Sequence, residues 1–189
     1  MRVVLLSCLM LLVACHTREA LPPPAPLAPE GREHADLGRI VELASGRTIS
    51  PELLLEHLAR AERVLVGEQH DNPDHHALQL WLLRELARQR PQGSVLMEMI
   101  NPDQQPKVDL AQAAAREGRS LGDPFDALAW QSGWDWSLYG PLVLHQLRQP
   151  YPLLAANLDR TEIMHIYRQR PALEGERSIA ADVQARLLE

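Results

Sequence analysis

The sequence predicts an α/β fold, a mostly parallel sheet flanked by helices with a helical, aromatic-rich insertion, and three observations carry that expectation. Three short runs, "RVLVGE", "GSVLMEM" and "YPLLAAN", are each followed by a stretch with helical spacing. The runs are apolar at successive positions instead of alternate ones, as in strands covered on both faces. Between the second helix and the third strand, Trp130, Trp134, Trp136 and Tyr139 fall within ten residues of a chain that is only 4 % aromatic.

Taken in order, "GRIVELASGRTIS" from Gly38 reads as a short hairpin turning at Ser45-Gly46. Ser50 is placed to cap a helix that has Pro51 in its first turn and runs to about Arg60. "RVLVGE" is the first strand of the sheet. Asn72 caps the next helix, from about Pro73 to Gln89, with Leu78, Leu82 and Leu86 as its apolar stripe. "GSVLMEM" is the second strand and precedes a helix over about Gln104 to Glu117. The tryptophan cluster and a helix marked by Leu142, Val143 and Leu147 come next, then the third strand, "YPLLAAN", and a helix starting near Asp159.

The chain has 189 residues, 46 % of them hydrophobic, which is enough for one ordinary domain. A formal net charge of -6 and the lack of any basic run argue against a nucleic-acid surface, which needs clustered Lys and Arg. The first fifteen residues, "MRVVLLSCLMLLVAC", carry one positive residue and an apolar stretch too short to span a bilayer, as a secretory signal does. Leu12-Val13-Ala14-Cys15 resembles a bacterial lipobox, in which the signal is cut before the cysteine and that cysteine is acylated; an ordinary signal peptide is the alternative. The expected division is a signal over 1–14, a Pro-rich stalk over 15–36 containing "LPPPAPLAPEG", and an α/β domain over 37–189. Cys8 lies in the signal, so the domain after Cys15 has no thiol to offer for catalysis, a disulfide or a Cys-type zinc site.

In open parallel sheets, ligands bind beyond the carboxyl ends of the strands. All three predicted strands end in polar groups there: Glu68 and His70, then Glu98, then Asn157. Glu68 and His70 are two residues apart and share a side if the backbone stays extended. His75 and His76 fall in the first turn of a helix, whose positive end favours neutral imidazole for coordination or for donation to an anion. Asn72 and Asp74 read as caps, and Asn157 has the same reading available. Glu98 would be costly to bury without a partner. The aromatic cluster reads either as a small core or as the wall of a pocket for a flat apolar ligand. Phosphate-binding glycine loops, a Gly-x-Ser-x-Gly elbow and His-Glu-x-x-His are all missing from the sequence, which sets aside nucleotide-binding, serine-hydrolase and zincin chemistry.

Over residues 37–168, "LVGEQHDNPDHHALQLWLL", "VLMEMINPDQQ" and "WDWSLYGPLVLHQLRQPYPLLAANLDR", together with the lipobox, resemble the ChaN haem-binding lipoproteins, within a larger group that includes Tiki proteases and erythromycin esterases. The resemblance implies a lipoprotein of iron uptake that binds haem through a tyrosine, keeps histidine or lysine near the propionates, and forms a dimer with paired haems. His16 after the acylated Cys15 favours, by the same resemblance, the outer membrane. Tyr139 is the expected iron ligand, ahead of Tyr151 and Tyr167, because it follows the tryptophan cluster. Trp134, Glu68, His70, His75, His76, Glu98 and Asn157 are the expected haem-site residues. Such proteins continue with a further Gly-x-Gly-His-like segment, where this chain ends in "SIAADVQARLLE", so a shortened chain is also expected. The competing reading, from the same kinship, is a metal-dependent hydrolase using Glu68, His70 and Glu98.

Overall fold

A computed structural model of the chain describes residues 20–172 and 180–187. The expected signal segment and Cys15 lie outside the described residues. An antiparallel hairpin, β1 (Ile40–Glu42) and β2 (Arg47–Ile49), pairs Ile40 with Ile49 and Glu42 with Arg47. Its turn passes through Gly46 at φ 69°, a left-handed conformation that glycine adopts without strain. Helix α1 (Pro51–Arg60) follows, and the Ser50 side chain accepts from the Leu53 N–H as its cap. Helix α2 (Pro73–Gln89) is capped by Asn72 accepting from the Asp74 N–H.

Strand β3 (Val95–Met97) pairs in parallel with β4 (Leu153–Ala155), Val95 opposite Leu153 and Met97 opposite Ala155. Their long connection holds a single 3-10 turn (Pro102–Gln104), α3 (Gln105–Arg116), the short α4 (Pro124–Ala127) and α5 (Trp136–Leu147). Helix α6 (Arg160–Gln169) follows β4, and α7 (Ala181–Leu187) comes last among the described elements. None of these helices is long and apolar enough to cross a membrane.

The main core lies between this pair of strands and the helices of their connection. It holds Met97, Ile100, Val108, Leu128, Trp130, Tyr139, Val143, Leu147 and Leu153. The outer edge of β4 finds its partners in side-chain amides. Gln112 accepts from Leu153 N–H, while Gln105 donates to the Leu153 carbonyl and accepts from Ala155 N–H. Helix α3 thereby satisfies backbone groups that would otherwise offer a template to another strand.

Three expectations need correction. The run at Val64-Leu65-Val66 enters no ladder: Leu65 is 95 % exposed, and no described element packs a layer over it, so burial gives strand pairing there no support. The expected apolar stripe of α2 packs at Leu82 and Leu86, with Trp81 beside Leu55 of α1, but its first member, Leu78, faces outward. Finally, residues 20–28, expected to be stalk, lie against α2: Trp81 Nε1 donates to the Leu21 carbonyl, and the Leu27 and Ala28 amides donate to the Asp74 carboxylate.

Candidate functional site

Residues 68–76 fold into a tight knot at the N-terminal end of α2. The His75 ring accepts at Nδ1 from the Gln69 N–H at 2.7 Å, which places that ring's proton on Nε2. His76 turns inward, is buried, and bonds the His70 carbonyl through Nε2 at 2.9 Å. The loop is thereby closed onto the helix.

Glu68 is the hub. Its side chain is 8 % exposed and receives the Tyr139 hydroxyl from α5, the His70 Nδ1–H at 2.9 Å and the Gln79 amide from α2. His76 Nδ1 stands 3.6 Å from its second oxygen. Desolvation pushes the Glu68 carboxyl up, but the bonds from Tyr139, His70 and Gln79 together outweigh it and hold the group below its ordinary value. The same contacts act in the opposite direction on their donors. Burial first, and Glu68 second, push the Tyr139 phenol well above the usual tyrosine range, so the hydroxyl keeps its proton. The hydrogen bond to Glu68 raises the His70 imidazole.

The His70 ring is 52 % exposed and packs edge-on against Trp134, centroids 5.0 Å apart. With Nδ1 held by Glu68, it is Nε2 that is presented to an incoming group. A cavity of about 370 Å³ opens here, lined by Glu68, His70, Gln79, Met97, Glu98 and Met99 among others. Asn157 spans the strand ends, donating to the Glu98 carbonyl at 2.9 Å and accepting from the Leu158 N–H. This fixes the rim, so Asn157 acts as a tie between strands.

The expected set is thus brought together in part. Glu68, His70, His76, Trp134 and Tyr139 form one contact network, and Glu98 shares the cavity. Glu98 is exposed, so no cost of burial applies to it. His76 is enclosed and edge-packed on Tyr139, so it offers nothing to an anion outside. Tyr139 does not fit the role of iron ligand: it is 1 % exposed, and its oxygen is already bonded to Glu68. Among the described residues, no three His, Cys, Asp or Glu side chains converge to hold a metal ion. Sequence reasoning missed Gln79, whose i+3 spacing from His76 puts it on the same helix face.

Of the other tyrosines, Tyr151 is buried, and Tyr167 on α6 is 75 % exposed. Tyr167 shares an uncovered helix face with Ile163 and Ile166. Helix α6 buries none of its residues.

The sequence profile of the family described as "Haem-binding uptake, Tiki superfamily, ChaN" matches residues 54–186. The chain belongs to this family. A solved structure described as "Cofacial heme binding to ChaN of Campylobacter jejuni" is 27 % identical with a TM-score of 0.68, over 79 % of this chain. The chain spans 60 % of the length of that relative. No curated protein matches it. The match agrees with the α/β class, and the family includes both the Glu68 loop and α6 within its matched range.

Proposed function

We propose that this chain is a haem-binding lipoprotein of haem or iron uptake, anchored through Cys15 in the outer membrane and forming a homodimer around its ligand. Family membership and the haem-bound relative support the ligand; the lipobox sequence supports the anchor. The single observation that carries the haem reading in this chain is the exposed face of α6. A porphyrin needs a flat apolar surface and an accessible axial donor. Ile163 and Ile166 supply the first, and Tyr167, one turn on from Ile163, supplies the second.

Tyr167 therefore replaces Tyr139 as the proposed donor to iron. A phenolate is a hard ligand for the ferric state, and the Tyr167 oxygen is accessible where the Tyr139 oxygen is tied to a buried carboxylate. Haem supplies the iron and the flat ring; the protein's residues supply position. His70 is the proposed partner of a propionate. Its raised pKa favours imidazolium, and Glu68 aims Nε2 outward. Glu98 beside it would repel a propionate deep in the cavity, so the contact belongs at the rim.

Addition of ferric haem to the purified domain tests this reading. The expected result is a high-spin, tyrosinate-type absorption spectrum. A spectrum identical to that of free haem at stoichiometric protein would overturn it.

A further inference from the structure

The segment before the domain contains four prolines between residues 22 and 26, which leave Ala25 as the only backbone donor in that stretch. The polar contacts of the segment therefore fall at its ends. At one end, Leu21 donates to the buried Glu85 carboxylate at 3.2 Å and accepts from Trp81 Nε1 at 2.8 Å. At the other, the amides of Leu27 and Ala28 converge on Asp74. Arg32 donates back to the carbonyls of Leu27 and Ala28, closing the turn that leads into the domain.

The segment is long enough to reach from one clamp to the other. Six residues of polyproline geometry cover about 19 Å, and the seven to eleven residues from Asp74 to Trp81 and Glu85 cover about 10–16 Å of helix. The segment runs antiparallel to α2, with Ala20 packed beside Leu54, Leu58 and Leu82 near the small core of Leu55, Trp81 and Leu86. Glu85 is 3 % exposed; Arg88 of the same helix meets one of its oxygens at 3.1 Å, and the Leu21 N–H of the segment meets the other.

We infer that this proline segment is an orienting strap that sets the C-terminal end of α2 against the lipid surface and points the Glu68–His70 cavity away from it. The inference rests on the proposed anchor at Cys15. Five peptide links separate Cys15 from Ala20, a reach of about 18 Å at full extension. The strap then carries the chain along α2 from its C-terminal half to Asp74, beside the knot of residues 68–76. The two ends of α2 are about 24 Å apart. A domain strapped in this way faces the Glu68–His70 cavity toward solvent and toward soluble partners, where a free stalk would let it tumble.

Energy transfer in vesicles of phosphatidylethanolamine and phosphatidylglycerol carrying an acceptor-labelled lipid tests the inference. The full lipidated chain is labelled at Gln89→Cys or, separately, at Asp71→Cys. The expected transfer is several-fold higher from position 89 than from position 71. Replacing residues 22–26 by a Gly/Ser stretch of equal length should bring the two values together. Equal transfer in the parent chain, or a difference that survives the replacement, overturns the strap. Palmitate labelling at Cys15 separates the two layers of the argument. Without label, the anchor and the orientation both fall. Hydrogen exchange of the chain without its signal and Cys15 then reports on docking alone: slow amides at Leu21, Leu27 and Ala28 are expected, and exchange at the rate of free peptide overturns docking as well.

Discussion

Tyr139 and Tyr167 sit in opposite settings of one molecule. Around Tyr139, Trp130, Trp134 and His76 surround a ring whose hydroxyl has found its carboxylate, and every contact is made inside the chain. Around Tyr167, an amphipathic helix keeps Ile163 and Ile166 uncovered. Aromatic density marks where a core is, and unfinished surface marks where a ligand goes. The tryptophan cluster serves both roles only at its margin, where Trp134 meets the exposed ring of His70.

The largest effect should come from exchanging the two tyrosines' roles in a spectrum. Tyr167→Phe should abolish the tyrosinate-type charge-transfer band, while Tyr139→Phe and Tyr151→Phe keep it. Absorption spectra of the three variants with ferric haem decide this. Loss of the band in Tyr139→Phe with an unchanged fold would reverse the comparison.

Second in size is the loss of the hub. Glu68→Ala leaves the Tyr139 hydroxyl, His70 and Gln79 without their common acceptor, and should destabilise the domain by about 2–4 kcal/mol in urea unfolding. The sign of its pH dependence follows from the depressed Glu68 pKa. Stability from this group is present above the ordinary carboxyl value of about 4.3 and is lost as pH falls through the lower folded value. The difference between parent and variant should therefore shrink below about pH 4. A difference that grows in acid would show that Glu68 is not ionised in the fold.

Tyr139→Phe should cost less, about 1–2 kcal/mol, because the ring and its packing remain and one hydrogen bond to a charged group is lost. The raised phenol pKa gives the opposite linkage: this contribution is present below about pH 10 and disappears as pH rises toward the folded value. Urea midpoints at pH 7 and above pH 10 check it. A variant as stable as the parent at both would remove Tyr139 from the network.

Much of this was legible in the sequence for identifiable reasons. Caps at Ser50 and Asn72 act within three residues, so local chemistry alone predicts them. The pairing of Glu68 with His70 follows from their spacing in extended chain. What escaped was everything decided by which surfaces meet. The apolar run at Leu65 looks like a core strand, yet nothing among the described residues covers it. Tyr139 and Tyr167 are equal as letters, and only the approach of α5 to Glu68 separates them, across 71 positions of sequence. The docked proline segment was hidden because its partners, Asp74, Trp81 and Glu85, lie 46 to 64 positions away.

The smallest effect on the ligand-free chain is the sharpest test of the comparison. Ile166 is 42 % exposed and belongs to a helix that buries no residue, so Ile166→Ser removes little packing. Its unfolding free energy should change by less than about 0.5 kcal/mol, the usual range for surface positions. The same substitution takes an apolar side chain from the face offered to the porphyrin, and burying an isoleucine side chain is worth about 1.5–3 kcal/mol. If haem covers about half of it, affinity should fall by roughly three- to tenfold. Titration of the variant with haem, beside urea unfolding without it, reads the two numbers separately. Ile166→Ser that destabilises the free chain like a core substitution would mean that α6 is already covered, and the contrast with the Tyr139 core would no longer hold.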